Sequence, residues 1–198
     1  MDTLAIDVET YCELDIRKVG AYKYCEHPTF EILLFAYAFN DKPVKVIDFA
    51  QGEELSQEIE DALYDPEILK TAFNANFERN AIRHGILKFP CPPEQWQCTM
   101  VQSLILGLPG SLDMVGRALH FEEDKQKMKE GKALIQYFCK PCKPTKTNGG
   151  RTRNLPEHAP EKWELFKKYN KQDVEVERTI RNKLNRYKTT ENEQRLWQ

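Results

Sequence analysis

Two carboxylates with the spacing of a ligand pair occur near the N-terminus. Asp7 and Glu9 stand two positions apart at the end of the otherwise apolar segment 4–10. On a β-strand such side chains point to the same face, roughly 7 Å apart, so we expect the two acids to lie side by side. Apolar residues occupy both faces of this segment, which favours a central strand covered on both sides. In such a buried position, paired anions require neutralisation. A hard divalent cation that prefers oxygen ligands, Mg²⁺ or Mn²⁺, would neutralise the two acids. The alternative is that the acids stand at an exposed strand end and bind nothing.

Two weaker signals lie further along the chain. Tyr169 and Asp173 are four residues apart in a predicted helix, a spacing that places them on one face. Glu78 falls in the first turn of another predicted helix, directly after a strand. Each has an ordinary alternative: Asp173 as a solvated helix carboxylate, and Glu78 as a partner of the positive helix end.

Composition narrows the class of protein. The chain has 198 residues, so a single domain is expected. Its formal net charge is −2, so the overall charge gives no sign of nucleic-acid binding. No apolar stretch reaches the length of a membrane span and no signal peptide is recognisable, so we expect a cytoplasmic protein without membrane contact. The six cysteines include one close pair, Cys139 and Cys142. Reduced thiols are the simpler interpretation, and a zinc site that includes this pair is the alternative.

Hydrophobic periodicity and turn residues predict an alternating α/β chain. The predicted strands are the N-terminal run that carries Asp7, Glu31–Asn40, Pro43–Phe49, Ile68–Phe73 and a short one near Gln95–Cys98. The predicted helices are Glu53–Tyr64, Asn74–His84 with a stop at Gly85, Thr99–Leu106, Ser111–Leu119, Lys132–Phe138 and Pro160–Tyr187. The tract Lys140–Pro156 has little apolar content and is predicted to be a mobile loop.

Taken together, the three acidic signals resemble the motifs of a known enzyme superfamily. Asp7-Val-Glu9-Thr10, Asn74 to Glu78 and Tyr169-Asn-Lys-Gln-Asp173 are similar, in order and spacing, to the three motifs of the DEDD 3′-5′ exonucleases of the tyrosine subgroup. The segments 30–38, 143–148 and 172–178 further resemble the proofreading domain of phage and prophage family A DNA polymerases. The likeness covers nearly the whole chain.

The resemblance implies a fold and a chemistry. The fold would be ribonuclease H-like: a mixed five-stranded sheet with helices on both faces. The activity would be two-metal-ion hydrolysis of phosphodiester bonds at the 3′ end of single-stranded DNA, with Mg²⁺ or Mn²⁺ as cofactor. Asp7 would bridge both ions, Glu9 and Asp173 would help hold one, Glu78 would support the other, and Tyr169 would position the attacking water. Glu78 departs from the family pattern, which has aspartate there.

Candidate substrate contacts surround these motifs. Between residues 131 and 156 there are six cations and no acid. This tract is either a loop that follows the DNA backbone or a solvated surface loop. Tyr11 and Phe77 would stack on terminal bases or belong to the core, and Asn74 would orient the terminal nucleotide or cap its helix. The predicted substrate-binding residues are Thr10, Tyr11, Asn74, Phe77, Lys143, Lys146, Arg151 and Arg153.

The domain organisation follows from the same resemblance. We expect residues 1–188 to form the exonuclease domain and residues 189–198 to be a helical segment. The resemblance implies that this segment is the start of a polymerase domain, which would act in cis or in trans. Leu196 and Trp197 end that segment with nothing after them to cover their apolar surface. Two rival functions stay open: an inactive DNA-binding or structural module, and an exoribonuclease of the ribonuclease D kind.

Overall fold

A computed structural model describes residues 2–88, 90–121, 130–187 and 189–195. Its strands are β1 Thr3–Tyr11, β2 Glu31–Phe39, β3 Lys45–Asp48, β4 Leu69–Ala72 and β5 Trp96–Cys98. Its helices are α1 Ile16–Cys25, α2 Gln57–Tyr64, α3 Ala75–Ile82, α4 Thr99–Ile105, α5 Leu112–Ala118, α6 Gly131–Phe138, α7 Pro160–Leu184 and α8 Glu191–Arg195.

The five strands form one mixed sheet in the order β3-β2-β1-β4-β5. Strand β2 pairs antiparallel with both β1 and β3, while β1, β4 and β5 run parallel. This confirms the predicted ribonuclease H-like arrangement, including the short fifth strand. The strand that carries Asp7 and Glu9 is the central one, as its uniformly apolar run indicated.

Helices cover both faces of the sheet because β1 is apolar on both sides. Leu4, Ile6 and Val8 pack into a core with residues of α2 and α3. On the opposite face, Ala5 packs with Val174 of α7. Tyr11 joins a second cluster on that face, built largely from α6 and α7. Asp7 and Glu9 alternate with Leu4, Ile6 and Val8, so they belong to the face that α7 covers.

The sequence prediction missed one helix and misplaced the end of another. Helix α1 is interrupted at Gly20, whose φ of 78° and ψ of 165° are not helical, so its two short halves give a weak periodic signal. Helix α3 was predicted to stop at Gly85, but helical winding continues as a π-helical turn over Arg83–Leu87. Gly85 allows the close approach of Ile32, because a Cβ at position 85 would lie 2.6 Å from Cδ1 of Ile32.

The tract after α6 has no regular element before the 3-10 turn Pro156–His158, as predicted for a loop. It is nevertheless tied together by Asn148, whose side-chain amide donates to the carbonyl of Lys143 at 2.9 Å and whose Oδ1 accepts from the backbone N–H of Thr145 at 2.9 Å. A short helix spans Glu191–Arg195 within the predicted C-terminal segment, while Leu196 and Trp197 lie outside the described residues. Every helix in the described ranges is too short or too polar to cross a bilayer.

Candidate metal centre

Three acids from two distant parts of the chain converge on one face of the sheet. Asp7, Glu9 and Asp173 each offer one carboxylate oxygen, and these oxygens all lie within 4.8 Å of one another. Glu9 and Asp173 are buried, at 7% and 4% exposure, so water screens their charges poorly. No group of cysteines and histidines gathers in this way within the described ranges, so the zinc alternative for Cys139 and Cys142 has no support there.

Local backbone geometry fixes this convergence. Strand β1 is regular from Thr3 to Glu9, which keeps Asp7 and Glu9 on one face. Directly after Glu9 the register of β1 against β2 shifts, so that Glu9 opposes Leu34 and Thr10 opposes Ile32. Such a bulge bends the ladder and re-aims side chains, and it falls at the acid pair.

Glu78 reaches the acids from the other helical layer. The pairing of β1 with β4 ends at Ala5 and Thr71, two residues before Asp7, and α3 begins shortly after β4. Glu78 is buried, and burial together with the nearby charge of Asp7 raises its pKa well above the ordinary value. One of its carboxylate oxygens has no hydrogen-bond partner among the described residues. Glu78 therefore lies outside the tight group of three but within its electrostatic reach.

Tyr169 lies beside Asp173 on α7, as their spacing predicted. Its hydroxyl is hydrogen-bonded to Asp173, and burial followed by the charges of Asp173, Glu9 and Asp7 raises its pKa, so it remains a neutral phenol. Gly131 at the start of α6 lies against its ring: a Cβ there would be 2.1 Å from Cε2 of Tyr169. Only glycine permits this approach, and sequence reasoning gave Gly131 no role.

Three further residues at the site escaped the sequence analysis. The amide of Asn170 donates to Oδ2 of Asp7 at 2.6 Å, and the thiol of Cys139 donates to Oε2 of Glu9 at 3.8 Å. Burial and Glu9 raise the pKa of Cys139 well above the usual value, so it stays a thiol. Glu177 is 2% exposed and contributes to the raised pKa of Glu78. Helical spacing could have identified two of them, because Asn170 lies three residues before Asp173 and Glu177 lies four residues after it.

Glu177 is held by its own partners behind the site. The hydroxyl of Thr99 donates to its Oε1 at 2.5 Å, and Nε of Arg181 lies 3.5 Å from the same oxygen. Burial raises the pKa of Glu177, and the guanidinium of Arg181 opposes this effect. Glu177 therefore has a cation supplied by the protein, whereas no residue that the structure describes forms an ion pair with Glu78.

A cleft of about 190 Å³ opens beside Glu9. Its walls include Thr10, Phe77, Ile135 and Lys140. The Thr10 hydroxyl lies 3.2 Å from that of Tyr24, while Phe77 packs against the Tyr24 ring and is partly exposed. Asn74 is exposed and does not cap α3 with its side chain. Asn74 is thus available to a ligand, and Phe77 both lines the cleft and touches the core.

Other predicted substrate residues are engaged within the protein. Tyr11 is 4% exposed and has the guanidinium of Arg153 over its ring at 3.9 Å, so it belongs to the core and offers no face to a base. Arg153 also forms an ion pair with Glu31, and Arg151 donates to Oδ1 of Asn154 at 2.9 Å. In contrast, Lys143 and Lys146 are exposed. Of the four basic residues predicted to bind substrate, Lys143 and Lys146 are therefore the two that face solvent.

The residues present fit a divalent cation. Carboxylate oxygens are the ligands that Mg²⁺ and Mn²⁺ prefer, and three of them converge here. One buried oxygen of Glu78 has no hydrogen-bond partner among the described residues, as expected where a ligand completes the site. A cation would offset the mutual repulsion of the acids and the cost of their burial.

The comparisons with known proteins point to a phage polymerase. No protein-family model matches the chain. Over all 198 residues it is 56% identical to a protein of Bacillus phage SP02 described as a DNA polymerase, and it spans 30% of that protein's length. The chain is therefore related to a portion of a phage DNA polymerase.

Solved structures with a similar fold include a nuclease and a Mg²⁺-bound protein. One, described as the apo form of the nuclease, is 16% identical with a TM-score of 0.49, covering 93% of this chain and 72% of that one. Another, NrnC of Brucella melitensis with bound Mg²⁺, is 14% identical with a TM-score of 0.47, covering 93% of this chain and 82% of that one. At this level of likeness, no property of these proteins is transferred to the chain.

The raised pKa of Glu78 predicts a pH-dependent effect on stability. In the folded, metal-free protein Glu78 holds its proton above its ordinary pKa of 4.5, whereas the unfolded chain releases it there. The folded state then binds more protons, so its stability falls as pH rises from about 4.5 towards the raised pKa, by about 1.4 kcal/mol per pH unit. Glu78→Gln removes this penalty. We expect the Tm of Glu78→Gln minus that of the wild type, measured in chelator, to grow as the pH rises above the ordinary pKa of 4.5.

Mg²⁺ provides the companion measurement, because a bound cation favours the ionised acids. It should raise the wild-type Tm at pH 7, by the equivalent of about 2.7 kcal/mol at 100 times the Kd. A Tm difference between the two proteins that stays constant with pH would contradict the buried, proton-retaining Glu78.

Proposed function

We propose that this chain is a divalent-metal-dependent 3′-5′ exonuclease that removes nucleotides from the 3′ end of single-stranded DNA. We further propose that it is the proofreading domain of a phage-type family A DNA polymerase. The single observation that carries the proposal is the convergence of Asp7, Glu9 and Asp173, with oxygens within 4.8 Å of one another. Fold likeness alone would not support an activity, but this constellation does.

The protein's own groups have distinct parts in this chemistry. Asp7, Glu9 and Asp173 would hold one cation, and Asp7 with Glu78 would support a second, directly or through water. When bound, these ions supply Lewis-acid activation of water and stabilise charge at the phosphate and the departing oxygen. Tyr169 remains a phenol, so its hydroxyl can donate to or orient the attacking water beside Asp173.

The surroundings of the acids fit a nucleic-acid end. The cleft beside Glu9 would receive the terminal nucleotide, with Phe77 in its wall and Asn74 exposed at the start of α3. Lys143 and Lys146 would attract the phosphate backbone, since local cations act even when the net charge is slightly negative. Arg151 and Arg153, engaged elsewhere, would shape the loop and the core.

The domain assignment is part of the same proposal. Residues 1–188 would form the exonuclease domain, and residues 189–198 would lead towards polymerase sequence. The support is the 56% identity to a phage DNA polymerase of which this chain spans 30%. The role would then be proofreading during DNA replication, with the polymerase domain in cis or in trans.

The decisive assay uses a single-stranded oligonucleotide labelled at its 5′ end. With Mg²⁺ or Mn²⁺ we expect a ladder that shortens from the 3′ side, and with chelator no ladder. A matched RNA strand separates the exoribonuclease alternative, because a site that requires the 2′-hydroxyl would degrade RNA faster. A wild-type protein that binds DNA and Mn²⁺ but produces no ladder would support the inactive module instead.

Removing one metal ligand should stop hydrolysis without unfolding the domain. Asp7→Asn and Asp173→Asn keep side-chain size but remove the charge that holds the cation, so we expect turnover to fall at least about 100-fold, more than the loss of an outer-shell partner. Asp61→Asn, on the exposed surface of α2, is the matched control and should retain the wild-type rate. Undiminished turnover in either test variant, with circular dichroism unchanged, would remove the site assignment.

The loop lysines should contribute to DNA affinity through counterion release. For the pair Lys143→Gln and Lys146→Gln, the slope of log K against log salt should decrease in magnitude by about 1.4, at about 0.7 per phosphate contact on a single strand. The measurement is fluorescence anisotropy in chelator. Lys45→Gln with Lys168→Gln, two exposed lysines on β3 and α7, is the control and should leave the slope unchanged. Equal slopes in both double variants would show that the loop lysines are solvated surface residues that do not contact the DNA backbone.

A further inference from the structure

A buried amide contacts the first acid of the candidate metal centre. Asn170, on α7 directly after Tyr169, is 0% exposed. Its Nδ2 donates to Oδ2 of Asp7 at 2.6 Å and approaches the backbone carbonyl oxygen of Asp7 at 3.2 Å. These contacts join residues 163 positions apart in sequence. One side chain of α7 thus fixes both the backbone and the carboxylate of Asp7.

An amide is suited to this position because it donates without adding charge. A hydrogen bond to an ionised carboxylate is stronger than one between neutral groups, so it holds Asp7 in one rotamer. A lysine or arginine in this place would compete with a cation for the acids, whereas the amide contacts one carboxylate oxygen without bringing positive charge. Asn170 can therefore order Asp7 without neutralising the site.

The other end of the same amide is evidence that the contact is not simple packing. Oδ1 of Asn170 is buried and has no hydrogen-bond partner among the described residues. Turning the amide over would bring this oxygen against the Asp7 carboxylate, placing two acceptors together, so the observed orientation is the favourable one. A buried acceptor left unsatisfied requires an explanation, and the orientation of Asp7 provides one.

We propose that Asn170 is a positioning residue that orients Asp7 for metal binding. It acts through Asp7 and does not itself touch substrate. This inference rests on the proposed function insofar as Asp7 is taken to be a metal ligand. Its prediction is that loss of the amide weakens metal binding and turnover together while DNA binding is retained.

The test replaces the amide with groups that cannot donate. Asn170→Leu has a similar volume, and Asn170→Ala is the second variant should leucine not be accommodated. Mn²⁺ affinity is measured on folded protein by electron paramagnetic resonance, together with kcat and KM for an oligonucleotide. Because outer-shell partners of metal ligands typically contribute 10–100-fold, we expect the Kd for Mn²⁺ to rise and kcat to fall by about that factor, with KM unchanged. Asn182→Leu, exposed on the same helix, should behave as wild type.

The outcomes separate this inference from the proposed exonuclease activity. A purely structural role would lower the Tm of the Asn170 variants but leave Mn²⁺ affinity and kcat of the folded protein at wild-type values, and that result would overturn the inference. If Mn²⁺ affinity falls in these variants while the wild type hydrolyses no DNA, the positioning role stands and the exonuclease proposal fails. If Asp7→Asn leaves Mn²⁺ affinity unchanged, the metal centre itself fails, and Asn170 has nothing to position.

Discussion

The candidate metal centre depends on how the repulsion among the carboxylates clustered at the centre of the sheet is offset. Asp7, Glu9 and Asp173 have oxygens within 4.8 Å of one another, and Glu78 adds a fourth acid whose pKa is raised by burial and by Asp7. Ionised carboxylates at such distances are unfavourable in a poorly hydrated interior unless positive charge lies among them. The protein supplies a cation to Glu177, through Arg181, but to Glu78 it supplies none that the structure describes. A divalent ion is the simplest solution to this imbalance.

The fold makes this concentration of charge possible by bringing rigid elements from both layers to the middle of one strand. The bulge after Glu9 re-aims the end of β1, and α7 places Tyr169, Asn170 and Asp173 over the same face. Gly131 lets α6 pack against the Tyr169 ring. Groups held by helices and strands are positioned more precisely than groups on loops, as metal chemistry requires.

The features of this arrangement that follow from strand alternation or helical periodicity could be predicted from the sequence. Strand parity placed Asp7 and Glu9 on one face, helical spacing paired Tyr169 with Asp173, and an apolar run without alternation indicated the central strand. The contacts made by single residues across the fold had no such signal. Asn170 reaches Asp7 over 163 positions, Gly131 matters only because a ring lies against it, and Tyr11 is covered by an arginine from a distant loop. Helix α1 was missed because Gly20 divides it into two halves, each too short to show a period.

Locating the bound cation by crystallography would test the metal centre directly. Crystals soaked in Mn²⁺ and measured at a wavelength where manganese scatters anomalously would show its position without reference to activity. We expect an anomalous peak bounded by the carboxylates of Asp7, Glu9 and Asp173, with a second ion, where present, between Asp7 and Glu78. Manganese bound elsewhere on the protein, with no peak among these acids, would contradict this expectation.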